Sequence, residues 1–507
     1  MRVALPPAGS PSKVLGPALA ILLIALGGVG AGVAVSLEGP LAGGVASITV
    51  LFAAAAIVIH GLERTRPGYV AIEVPVLLIL LSTLTLRYSF AGGPQTATEL
   101  TENPFDVFSL FRLACTGLAA ALGLLALSAP HAKAAERLTT RPVRYYSAYA
   151  LVAFMGLVVS VNPLLTSYRA TEMVAGLLVV AGAYRTGGKE ALQRIETMIF
   201  WYAVLMLGSA WVGAVAFGGL ERINSPIPVR LVGIFPHISS NTLGYLSVVV
   251  ALWSMARLLA RGREIGPRPA VSILLVGFGL ATLIAAQYRT GYAMFVAGAA
   301  ILLLVSGRKV MAGLAVVVVL AITTLGSGMF EEAQPYLLRG QDTERASRLS
   351  GRVTYWSAAL PVWRQSPIIG GGLQTASRLV VLDDLDTEKG AASNLHSTWV
   401  EALVGTGIVG VALLALALLT AWWRSLARVF GGPGRLVPAV LLTALIVRTI
   451  TGGSIEGGGD TQLFFLTLAF GLRDGATLRG SRTTAPLPPL PPSKSRVPRS
   501  SGHQIGA

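Results

Sequence analysis

Along most of this chain, long apolar stretches alternate with short polar ones. Apolar runs fall at about 15–36, 41–60, 68–86, 109–129, 146–163, 170–184, 197–218, 241–257, 270–287, 290–306, 310–328, 397–421, 436–452 and 460–472. A helix needs about 20 consecutive apolar residues to cross the hydrocarbon core of a bilayer. The pattern therefore predicts an all-α, polytopic transmembrane helix bundle of about 12–14 helices. The first run, behind the short basic start Met1 to Lys13, reads as a membrane span and not as a cleaved leader.

Two stretches depart from the pattern. Residues 329–395 form one long polar loop, and it contains the Trp-bearing amphipathic segment GRVTYWSAALPVWRQSP. Residues 480–507 are rich in Pro, Ser and basic residues and read as a disordered cytoplasmic tail. The expected organisation is a membrane domain over 1–479, including the 329–395 extracytoplasmic loop, followed by that tail.

Charge then fixes the expected orientation. Only 13% of residues are charged, against about 25% in ordinary soluble domains, yet the net charge is +16. Basic residues gather in alternate connections: Arg64 and Arg66, Lys133 to Arg144, Arg185 to Arg194, Arg257 to Arg268, Arg308 and Lys309, Arg424 to Arg435, and Arg473 onward. Lys and Arg concentrate in cytoplasmic loops. That distribution puts both termini in the cytoplasm and the long loop outside, and it explains the net charge with no role for nucleic acid. The single cysteine, Cys115, excludes an intramolecular disulfide and a cysteine-based metal site.

The informative ionisable groups are those on the outer side, where the topology rule disfavours Arg. Three elements stand there. RLVGIFPHISSNTLGYL carries Arg230, His237 and Asn241; QYRTGYAMFV carries Arg289 in a tight turn; NLHSTWVEALVGTGIVG carries Asn394, His396 and Glu401. Guanidinium groups bind phosphate oxygens bidentately without deprotonating, and a His can accept a hydroxyl proton near neutral pH. This combination suits an enzyme acting on a diphosphate-linked lipid. Each group also has a plainer reading. Outer arginines pair with lipid phosphate or acidic side chains, a His before a helix can act as a cap, and Glu401 can orient His396 or simply pair within the loop. Trp356 and Trp363 read as interfacial anchors.

Taken in order, five segments resemble the O-antigen ligase/polymerase family of bacterial envelope enzymes. They are NPLLTSYRATEMVAGLLVVAGAY with Arg169, the Arg230–Asn241 segment, YRTGYAMFVAGAAILLL with Arg289, SGRVTYWSAALPVWRQSPIIGGG with Arg352, and LHSTWVEALVGTGIVG with His396 and Glu401. The resemblance covers roughly 150–420. It implies a helical membrane glycosyltransferase of the GT-C kind in the cytoplasmic membrane, acting at its outer face without metal or other cofactor. The donor is a glycan on undecaprenyl diphosphate, and the acceptor is a glycan or lipid hydroxyl.

Carried onto this chain, Arg230 and Arg289 would bind diphosphate, and His396 would activate the acceptor. Arg352 would hold donor or loop, with Asn241, Glu401 and Arg169 at the substrate site. Where the family commonly has Asn directly after the His, this chain has Ser397. The competing class is a flippase or transporter of lipid-linked sugars, which should break helices and bury charge at mid-membrane.

Overall fold

A computed structural model describes residues 69–84, 107–128, 140–217, 220–221, 230–234, 236–259, 267–306, 352–377, 395–430, 435–453, 455 and 459–472. The expected spans at 15–36, 41–60 and 310–328, the tail and the remainder of the long loop lie outside these residues.

Eleven α-helices run through the described residues: α1 Tyr69–Ser82, α2 Val107–Ser128, α3 Arg141–Met155, α4 Pro163–Phe217, α5 Ser240–Leu259, α6 Pro269–Ala286, α7 Arg289–Val305, α8 Arg352–Gln365, α9 Thr398–Phe430, α10 Leu436–Thr451 and α11 Asp460–Gly471. A two-residue ladder, β1 Leu220–Glu221 with β2 Arg230–Leu231, is the one sheet among them. Five helices are long and apolar enough to cross a membrane: those at 111–128, 163–216, 240–259, 269–286 and 398–430. Exposed Leu, Val, Ile and Trp side chains such as Leu205, Val215, Leu274 and Trp423 stud their outer faces, where lipid tails accept them at no cost. The fold is the all-α membrane bundle that the apolar pattern predicts.

Contacts sort the helix ends into two sets. At one end Arg194 pairs with Glu73 (3.3 Å), Arg435 with Glu196 (2.7 Å), Arg428 donates to the carbonyl of Gly471 and Thr140 to that of Ala469. These are the connections that the basic-residue pattern grouped together. The 55-residue helix α4 turns back at this end, because Gly188 has φ 60° and interrupts it. The expected runs 170–184 and 197–218 are its two limbs.

Helix α9 is also interrupted, at Gly407 (φ 65°). The break is filled by backbone from the long loop. Gly371 N–H donates to Val404 O (2.8 Å) and Gly372 N–H to Gly405 O (3.1 Å). Beyond the break, Ile408 N–H donates to Pro367 O (2.9 Å) and Val409 N–H to Ile368 O (3.3 Å). Irregular backbone at membrane depth is tolerated only where its polar groups are satisfied within the protein, and all four freed groups are. A side chain at Gly407 or Gly370 would run into the opposite backbone. Both also have φ above +60°, so glycine is required twice over.

Candidate active site

The opposite set of helix ends holds most of the site residues expected from the sequence, and the end of α10 joins several of them. Carbonyls at a helix end lack partners in the regular ladder, and three successive ones here take donors, two from other helices and one from Arg448 of α10 itself. Thr451 O accepts Arg352 Nη1 at 2.7 Å. Gly452 O accepts both the backbone N–H (3.1 Å) and the hydroxyl (3.0 Å) of Thr398, and Gly453 O accepts Arg448 Nη2 at 3.5 Å. The Thr451 hydroxyl also meets that of Thr290 at 2.7 Å. Arg352 begins α8, Thr398 begins α9 and Thr290 follows Arg289 at the start of α7, so one turn gathers three helix beginnings.

Arg289 owes its position to a two-residue turn. Gln287 adopts the left-handed conformation (φ 49°) that ends α6. Tyr288, buried at 3% exposure, then wedges against Gly244 of α5 and Gly291 of α7. Asn241 lies in the first turn of α5, three residues before that wedge. The guanidinium of Arg352 lies within the fields of Arg289 and Tyr288. Burial depresses its proton affinity, Tyr288 opposes this and Arg289 adds to it.

His396 sits between α8 and α9 in a backbone conformation rare for a side-chain-bearing residue, φ 54°. Its neighbours hold it there. Leu395 N–H donates to Glu401 Oε1 (2.6 Å), Leu395 O accepts the Trp356 indole N–H (2.9 Å), and Ser397 O accepts Glu401 N–H (2.9 Å). A small apolar core of Ala359, Ala376, Leu395 and Val404, flanked by Tyr355 and Trp363, packs α8 onto the start of α9. Burial first, and the Arg352 charge second, push the imidazole down to about 4. It is therefore neutral at pH 7 and able to accept a proton.

The structure brings Arg289, Arg352 and His396 into one electrostatic neighbourhood. Arg230 stands on β2, which packs against α6 and α4 at the same end of the bundle, opposite Glu221 on β1. Arg169 has a committed partner: Nη1 donates to Glu172 Oε2 at 2.8 Å, while Arg112 takes the other oxygen at 3.3 Å. The indoles of Trp356 and Trp363 both donate to protein carbonyls, those of Leu395 and Pro367. These bonds fasten the loop segment to itself and to the residue before His396.

Sequence reasoning passed over Arg448 and Arg112. The signal for each was an arginine inside an apolar run, an expensive placement that itself marks a site.

A polytopic helical membrane protein with a neutral imidazole beside one guanidinium group and a second guanidinium near the first, at one end of its bundle, is the class these features define. Residues 270–415, from α6 into α9, match the family model of O-antigen ligase. The match contains Arg289, Arg352, His396 and Glu401, whereas Arg169, Arg230, Asn241 and Arg448 lie outside it. The chain is also similar to the exopolysaccharide production protein ExoQ of Rhizobium meliloti (strain 1021), with 32% identity over 90 residues. That stretch is 16% of this chain and spans 20% of the relative's length.

Proposed function

We propose that this protein is an envelope glycan ligase or polymerase. It moves an oligosaccharide from undecaprenyl diphosphate to an acceptor hydroxyl at the outer face of the cytoplasmic membrane. The observation that carries this reading is the neutral His396 held beside Arg352, which itself lies in the field of Arg289, inside the segment similar to O-antigen ligase. The basic residues at the other end of the bundle favour an outer location for the site.

In the proposed reaction the acceptor oxygen attacks the anomeric carbon as its proton passes to His396. The bond from that carbon to the diphosphate oxygen breaks, and undecaprenyl diphosphate leaves with the electron pair. Arg289, Arg352 and, from its hairpin, Arg230 stabilise the charge that develops on the leaving group. Asn241, one turn before the Gly244 that Tyr288 packs against, is assigned to the same donor. Glu401 acts through Leu395 on the His396 backbone. His396 then loses its proton to water. A single displacement inverts the sugar carbon. Ligase and polymerase share this chemistry and differ in the acceptor.

A transporter of lipid-linked sugars would also break helices, as α9 is broken at Gly407. There, however, the four freed backbone groups all bond to residues 367–372, which leaves none of them to a solute.

Reconstituted protein with a polyprenyl-diphosphate oligosaccharide and acceptor tests the reading. Glycan transfer should collapse in Arg289→Ala and His396→Ala. Unchanged turnover in both would remove the proposed site.

A further inference from the structure

Arg448 lies one turn before the end of α10, within an apolar helix, yet the reaction above gives it no task. Its guanidinium carbon stacks 3.6 Å from the centre of the Tyr245 ring on α5, a close cation–π contact. Nη1 donates to the Thr461 hydroxyl at the start of α11 (3.3 Å), and Nη2 donates to Gly453 O (3.5 Å). Thr461 is in turn held by Asp460, whose Oδ1 accepts its backbone N–H at 2.7 Å. One side chain thus clamps α5 and both arms of the α10–α11 connection.

The clamped connection is the one whose preceding carbonyls, Thr451 O and Gly452 O, fix Arg352 and the first residue of α9. We propose that Arg448, seated on Tyr245, is a positioning residue for glycosyl transfer: it fixes the 451–453 turn that sets Arg352 and His396 against each other. The inference rests on the proposed glycosyl transfer. The charge of Arg448 is used for planar stacking with two directed hydrogen bonds, a combination lysine does not reproduce. Tyr245 belongs to the same device: its ring carries the stack and its hydroxyl bonds Thr461 and Arg448.

The test compares wild type with Arg448→Ala, Arg448→Lys and Tyr245→Phe, as full-length protein in proteoliposomes with the same donor and acceptor. Rates are normalised to folded protein measured by size-exclusion elution and thermal melting. The charge that acts on His396 is Arg352 of α8; Arg289 and Tyr288 at the α6–α7 turn act on Arg352, and Glu401 of α9 bonds the neighbouring Leu395.

With the turn loosened, Arg352 separates from His396 and water enters. The acid limb of the kcat/KM profile should then move up from about 4 toward the ordinary His value of about 6.5. In Arg448→Ala, kcat should fall about 10–100-fold with donor KM changed far less. Arg448→Lys should recover little, and Tyr245→Phe, which keeps the ring but loses the hydroxyl's bonds to Thr461 and Arg448, should lower kcat in the same direction by less.

Unchanged kcat per folded molecule in Arg448→Ala would overturn the inference. So would a lower kcat with the acid limb unmoved, because that is what a merely structural role produces. If Arg289→Ala and His396→Ala also leave turnover intact, the glycosyl-transfer reading itself fails; if they abolish it, only the role of Arg448 does.

Discussion

Glu401 Oε1 accepts the backbone N–H of Leu395 at 2.6 Å, reaching back past the start of its own helix to the residue before His396. Glu401 is buried at 2% exposure, so this bond is shielded from water and its loss is costly.

Replacing Glu401 separates geometry from charge. Glu401→Ala strands a buried N–H, a loss of about 1–3 kcal/mol, and frees His396 from its left-handed conformation. Transfer should fall by about 10–100-fold, each tenfold corresponding to about 1.4 kcal/mol of barrier. Glu401→Gln keeps an acceptor oxygen and should lose much less. Steady-state kinetics on the two variants, side by side, checks this.

His396 predicts an unusual pH response. Its folded value of about 4 lies below the ordinary 6.5, so the base form persists well into acid. The acid limb of kcat/KM should appear near pH 4, and the limb of kcat should lie higher, because bound diphosphate favours the imidazolium. Stability follows the same linkage. The unfolded chain binds the proton more readily, so this contribution is complete above about pH 6.5 and is lost as pH falls toward 4. The melting temperature of wild type should therefore fall more steeply than that of His396→Gln as pH drops from about 6.5 to about 4.

Arg289 and Arg352 should differ in their substitutions. Arg289→Lys retains charge without the bidentate fork and should cost about 10–100-fold in turnover. Arg352→Ala removes both the bond to Thr451 O and the charge facing His396. Besides lowering turnover, it should raise the acid limb relative to wild type. A pH–rate profile distinguishes the two arginines.

The break in α9 makes its own prediction. A Cβ at Gly407 meets the backbone of Ile368, and the left-handed conformation adds about 1–2 kcal/mol. Gly407→Ala should lower the melting temperature in detergent and expose the loop to limited proteolysis. Gly208→Ala, where nothing lies nearby, should do neither.

Orientation can be read chemically. The one native cysteine, Cys115, is buried at 2% exposure, so single-cysteine variants are clean reporters. Gln365→Cys should react with an impermeant maleimide added to intact spheroplasts, and Lys189→Cys should react only after permeabilisation. The reverse pattern would move the site to the cytoplasm.

Much of the bundle was legible because hydropathy reports each span locally. α5, α6, α7, α10 and α11 fall within a few residues of their apolar runs. Arg289 and His396 were legible for a related reason: polar groups at span ends on the side where the topology rule disfavours them. The break at Gly407 was not, because GTGIVG is also what close helix packing looks like; only the distant Pro367–Gly372 strand of backbone makes it a gap. Arg448 was hidden by averaging, since one arginine barely lowers the hydropathy of the run around it. The Arg112–Glu172–Arg169 pairing joins α2 to α4, a separation that no local reading spans.

The joint between the loop and α9 settles what can be moved between related enzymes. Residues 367–372 complete a helix to which they do not belong in sequence, so the loop has no seam of its own at its base. A chimera that transplants only the loop would leave the recipient helix with a foreign filling, while one that takes 352–409 together carries the whole mortise and tenon. Any specificity carried by residues 352–377 is therefore tied to the broken helix, and through it to the histidine that precedes that helix.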